Sequence, residues 1–438
     1  MPTASRLPTL PSLSFELLHH TLSNGLRVVL APDRRAPVVA VAVNYDVGFR
    51  SEPQGRTGFA HLFEHLMFQG SANLEKLEHF HYVQSSGGTF NGSTHLDYTN
   101  YYDLLPSHAL ERGLFLEADR MRSPRITKEN LANQIDVVKE EIRVNVLNRP
   151  YGGFPWLQLP ELMYDTFPNA HNGYGGFEDL SSATVADASS FFDSYYAPAN
   201  AVLSVAGDFD PDRALEMIER HFGPIERRTR PRRPDFSEPP LTAERRAQVA
   251  DELAPIPAIA IGYRVADPVA DFPAYLASVL LAEILSNGDA SRLHRALVQD
   301  KGLVTDVSAY LGTFGDPLEE RDPTRLTITA HYADRAATDT VLAAVDAELD
   351  RVATEGTEPG ELRRAGVQLA ATLSHELDNV LNRGLEFAKF QLIFDDAELI
   401  LRLPELLGAI TDDDIRTAAR ALAPTSRAVV ELVPGAAK

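Results

Sequence analysis

With 438 residues, 44% of them hydrophobic and 24% charged, the chain can bury a large core and should hold two domains or more. Its formal net charge of −21 argues against nucleic acid or an anionic membrane surface as a partner. There is no cysteine, so no disulfide braces the fold and a metal would have to be held by nitrogen and oxygen.

Residues 1–11 lack a basic start followed by an apolar stretch, and no run of about 18 apolar residues follows anywhere, which predicts no signal peptide, no membrane span and a cytoplasmic address. Alternation over 38–47 predicts the first long strand. A short helix should follow, with Thr57 as N-cap, Phe59, Leu62, Phe63 and Leu66 on its apolar side, and Gly70 at its end. It carries His61-Leu62-Phe63-Glu64-His65. Residues four apart stack one turn above each other, roughly 6 Å between backbones, so both imidazoles can reach one tetrahedral Zn²⁺. Glu64 lies on the same side, close enough to act as general base toward water at the metal. This order inverts the commoner His-Glu-x-x-His and marks the inverzincins.

Strands are predicted over 100–105, 202–206 and 326–332, and helices over 110–121, 191–195 and 336–352. A further helix runs over 130–142, where Leu131, Ile135, Val138 and Ile142 make one buried stripe. A catalytic zinc needs a third protein ligand, and this helix offers Glu140 and Glu141. Glu141, seven residues after Gln134, lies nearer the inward side, but spacing alone does not choose between them.

The inverted motif, with a glutamate 76 residues on in Val137-Val138-Lys139-Glu140-Glu141, resembles the pitrilysin family of zinc metallopeptidases, which includes insulysin and mitochondrial processing peptidase. The similarity extends to Gly87-Gly88-Thr89-Phe90-Asn91-Gly92-Ser93-Thr94, to Asp97-Tyr98-Thr99-Asn100-Tyr101-Tyr102, and to Asn148-Arg149-Pro150-Tyr151-Gly152, the last as in bacterial two-chain members. The resemblance implies His61, His65 and Glu141 as zinc ligands and Glu64 as catalytic base. It also implies an edge strand that pairs with the peptide substrate through Asn91 and Gly92. Many members carry a second glutamate seven residues before the third ligand; Gln134 stands there, keeping hydrogen bonding and losing charge.

The chain also repeats itself. Val41-Ala42-Val43-Asn44-Tyr45 returns 218 positions on as Ile259-Ala260-Ile261-Gly262-Tyr263, and residues 184–202 return as 411–429. Two copies of one α+β unit follow, each a mixed or antiparallel sheet packed with helices, and the resemblance implies that together they form half of a clamshell. The boundaries fall at 1–226 for the zinc-binding domain, 227–245 for a Pro/Arg-rich solvated linker, and 246–438 for a second domain without metal. At the repeat offset His61, Glu64 and His65 become Val279, Ala282 and Glu283, on an apolar packing helix over 272–285. His79, His81, His95, His108 and His171 read as surface or turn residues without a chemical role.

The family's metal-free half presents an Arg and a Tyr to the substrate; at those positions here stand Val298 and Thr305. The resemblance therefore implies a zinc endopeptidase acting on peptides or unfolded segments inside a chamber, as a heterodimer with a homologous metal-free subunit that supplies the pair. The rival is a non-catalytic peptide-binding or assembly subunit, but proteins of that kind generally lose the zinc motif. A structural zinc protein would need a fourth ligand, for which the sequence offers no comparable candidate.

Overall fold

The computed structural model describes residues 14–333 and 338–435. Residues 1–11, where no signal peptide is predicted, lie outside that range, as do the first two residues of the helix expected over 336–352.

Among the described residues eleven strands form two sheets. The first contains β1 (Leu18–Thr21), β2 (Arg27–Pro32), β3 (Val38–Tyr45), β4 (Thr89–Thr94), β5 (Thr99–Pro106) and β6 (Ala201–Gly207), in the order β1-β2-β6-β3-β5-β4. The second contains β7 (Arg245–Asp251), β8 (Ala258–Arg264), β9 (Asp306–Leu311), β10 (Arg325–His331) and β11 (Arg427–Pro434), in the order β7-β11-β8-β10-β9. Without β1 the two orders are the same. In each sheet the first of these pairings, β2 with β6 or β7 with β11, is parallel and the others are antiparallel. The repeat in sequence is therefore a repeat in topology, and the fold is mixed α+β. Matching helix starts reinforce it. Thr184 and Asp187 form a reciprocal cap on Val185–Tyr195, and Thr411 and Asp414 form the same cap on Asp412–Ala421.

Period-two alternation assigns each sheet face its own core. Val28, Leu30, Val41 and Val43 face the motif helix and the helices Leu110–Arg122 and Val185–Tyr195. Val29, Ala31 and Ala206 face the other way, into a core built largely from the second half. That reverse face is covered by the helix Val380–Ile393, where Gly384 lets the backbone lie against Ala40, Ala42 and Ala206. The exchange is mutual: Gln158–Met163, from the first half, packs Leu159 and Met163 on the Ala258 and Ala260 face of the second sheet. Each half thus lends a helix to the other's sheet.

Residues 226–242 carry neither helix nor strand, but the arginines there are not simply solvated. Arg230 and Arg233 reach Asp46 at 2.6 and 2.7 Å, and Arg321 of the second half meets the same carboxylate at 3.1 Å. Among the described residues no helix is long and apolar enough to cross a membrane.

Candidate metal centre

The motif helix spans Phe59–Leu66, and Phe59, Leu62, Phe63 and Leu66 are buried as expected. Phe63 packs among Phe191, Phe192 and Tyr196, which fixes the rotation of the helix and turns His61, Glu64 and His65 to the opposite side. Thr57 is not the cap. Its hydroxyl donates to Asp179 at 2.6 Å, and the N-cap is Gly58 at φ 83°, where a Cβ would sit 2.6 Å from the Tyr174 carbonyl. Buried Glu52 does the capping from a distance, accepting from the Gly58 and Ala60 amides at 2.8 and 2.7 Å. The helix ends at Leu66, before Gly70, which lies in the following turn at φ 98°.

The helix Lys128–Ile142 starts at a true cap, Thr127, and buries Leu131, Ile135, Val138 and Ile142. That stripe brings Glu141 to the two histidines. His61 Nε2 and His65 Nε2 are 3.3 Å apart, and Glu141 Oε2 lies 3.5 Å from each. Zinc bonds of about 2.1 Å in tetrahedral directions put neighbouring donor atoms about 3.4 Å apart, so this triangle fits one such ion. Glu140 points to solvent and pairs with Arg143 at 2.9 Å. Gln134 is buried and places Oε1 3.3 Å from His65 Nδ1. An acceptor there draws the ring proton to Nδ1 and leaves Nε2 free to ligate. Burial, together with the neighbouring His65, pulls His61 down to about 4, so it is neutral near pH 7.

Glu64 accepts from Thr94 Oγ1 at 2.7 Å through Oε2. Burial raises its pKa and the Thr94 bond offsets part of the rise. Gly92 lies against it: a Cβ there would be 3.2 Å from Glu64 Cγ and 3.2 Å from Phe68. Gly92 and Thr94 belong to β4, which is an edge strand. Asn91 is exposed and, with alternation, points to the other side of the sheet, where it lines a cleft with Glu319 and Lys389. The structure thus gathers His61, Glu64, His65, Glu141 and Gly92, and sets the Asn91 side chain apart from them.

Three histidines read as peripheral lie inside. His79 is buried against Asp103 at 3.1 Å. His95 joins Ser93 to Glu319 of the second half. His171 meets Glu52 at 3.2 Å, linking a second segment to the carboxylate that caps the motif helix. Single histidines carry no periodicity to reveal such pairings. His81 and His108 are exposed as expected. In the second half the helix Phe272–Ser286 buries Val279 and Ala282 and carries no metal cluster among the described residues.

Two family profiles match: one described as insulinase (peptidase family M16) over residues 27–150, and one described as the peptidase M16 inactive domain over residues 182–369. The first contains all five gathered residues and the second none. A zinc protease PqqE of Helicobacter pylori is 30% identical over 293 residues, 66% of this chain and 65% of that protein. The match therefore spans slightly less than two thirds of that relative's own length. A crystal structure of a protease from the same species superposes with a TM-score of 0.87 at 25% identity, over 96% of this chain and 100% of the other. The crystal structure of pitrilysin gives 0.75 at 19% identity, over 99% of this chain but 46% of its own.

Proposed function

We propose that this chain is a member of peptidase family M16, the family both matching profiles describe, and that it is a zinc-dependent endopeptidase. The observation that carries this reading is the donor triangle of 3.3 to 3.5 Å with Glu64 beside it. His61, His65 and Glu141 would hold the ion, three protein ligands being the number of a catalytic rather than a structural zinc site. A bound Zn²⁺ supplies Lewis acidity toward a peptide carbonyl and acidifies water. Glu64 takes the proton of the attacking water and returns it to the leaving amine. Thr94 donates to one oxygen of that carboxylate, and the other would take the proton. The peptide adds to β4 as a further strand, satisfying the edge's unpaired backbone groups, with Gly92 allowing close approach and Asn91 contacting the chain. We divide the protein at 1–226, 227–245 and 246–438, and assign the second domain a substrate-enclosing role together with a homologous metal-free subunit. A non-catalytic subunit has no use for a carboxylate beside such a donor triangle, so we set that reading aside.

The test is Glu64→Gln. Zinc content by metal analysis stays near one per chain while peptide hydrolysis falls by a factor of at least about 10². Activity within tenfold of wild type at equal zinc removes Glu64 from the mechanism.

A further inference from the structure

A cavity of about 440 Å³ opens beside the candidate centre, with His61 and Glu64 in its wall. Its other walls are aromatic. Trp156 packs on Tyr174 and Phe314 at ring distances of 5.3 and 6.0 Å, and Phe49 packs on Phe314 at 6.3 Å. Such a lining suits an apolar side chain, with one exception. Arg325, the first residue of β10, reaches this cavity while 3% exposed. Among the described residues its guanidinium makes no hydrogen bond, no carboxylate oxygen lies within 4.0 Å of it, and its buried Nε has no partner. Glu320 is the nearby counter-charge, but it lies beyond 4.0 Å and accepts instead from the Thr313 amide and from Thr324 Oγ1.

The other charged groups in the wall are engaged. Arg50 is held by Asp97 at 3.4 Å and by the Arg321, Asp322 and Pro323 carbonyls. His171 is held by Glu52, and Glu64 by Thr94. Removing a cation from water without supplying an acceptor is costly, and a carboxylate meets a guanidinium with two parallel charge-assisted bonds.

We propose that this cavity is a specificity subsite in which Arg325 receives a carboxylate of the bound peptide. The carboxylate comes either from an Asp or Glu side chain next to the scissile bond or from the peptide's own C-terminus. The aromatic walls cover the aliphatic part of the residue and exclude water from the ion pair. This inference rests on the peptidase reading for the word peptide, but its readout does not require turnover. Trp156 is the chain's single tryptophan and stands in the wall, so its fluorescence reports occupancy.

The experiment titrates the full-length Glu64→Gln protein with one peptide series that scans Glu, Gln, Leu or Tyr through each position, with free or amidated C-termini. The expected result is a Kd at least about tenfold lower for the carboxylate-bearing member, lost in Arg325→Gln and partly kept in Arg325→Lys, with melting curves to establish that both variants fold. Preference for Glu in amidated peptides assigns the site to a side chain; preference for the free acid alone assigns it to the C-terminus. Equal affinity for Glu and Gln, tightest binding of Leu or Tyr, no fluorescence change, or a carboxylate preference that persists in Arg325→Gln overturns the proposal. Separately, zinc-loaded wild type is assayed on the same peptides. Absence of cleavage there defeats the peptidase reading, while the fluorescence result stands by itself.

Discussion

Glu140 and Glu141 project from one helix about 100° apart, so a single rotation of that helix decides which of them meets the histidines. The buried stripe of Leu131, Ile135 and Val138 makes that decision in favour of Glu141, and Glu140 is left with Arg143. Glu141→Gln should therefore lose zinc and activity together, while Glu140→Gln keeps both within about twofold, as surface substitutions do. Gln134→Ala should fall between them, weakening zinc about 10 to 100-fold, because it frees the His65 ring rather than removing a ligand. Competition with a graded chelator reads all three. Retention of zinc by Glu141→Gln, with loss in Glu140→Gln, would reverse the assignment.

At the level of elements, the helix Val380–Ile393 is the one on which the two halves depend most visibly. It covers the reverse face of the first sheet, and a Cβ at Gly384 would lie 3.2 Å from that of Ala40. Gly384→Leu forces a bulky side chain into this contact and should destabilise the protein by about 1–3 kcal/mol, read as a lower denaturant midpoint. Gly384→Ala also removes a helix-interior glycine worth about 1 kcal/mol, so its loss should be smaller. A Leu variant as stable as wild type would mean that the halves do not pack through this helix. The exchange of helices was not legible in the sequence, because an apolar stripe says that a face is buried and not which sheet buries it. The same limit hid Glu52 as the cap of the motif helix and Arg325 as a wall of the cavity, since both act across long separations in the chain. Local patterns were more informative. Alternation located β3, β5, β6 and β10 to within a few residues, and the His-Glu-His spacing needed only one helical turn to be drawn.

At the scale of the whole molecule, two sheets of one repeated topology make a unit that superposes on 46% of the pitrilysin chain. The present chain carries one. Where the resemblance implies a substrate-contacting Arg and Tyr stand Val298, partly buried against the second core, and exposed Thr305. Close to Glu141 along the chain, Val144 and Leu147 are 55% and 58% exposed, apolar surface of the kind that a second subunit covers. The chain expressed alone should therefore be a weak peptidase that tends to self-associate. A metal-free partner of similar size should raise kcat/KM on the order of 10²-fold, by closing water out and holding the peptide against β4. The measurement is peptide hydrolysis alongside mass determination in solution, for the chain alone and then with whatever homologous subunit co-purifies from its native host. Full activity from a strict monomer or homodimer, unchanged by any partner, would refute the two-subunit reading, and the zinc triangle and Glu64 would then have to work with a chamber built from copies of this chain or with none.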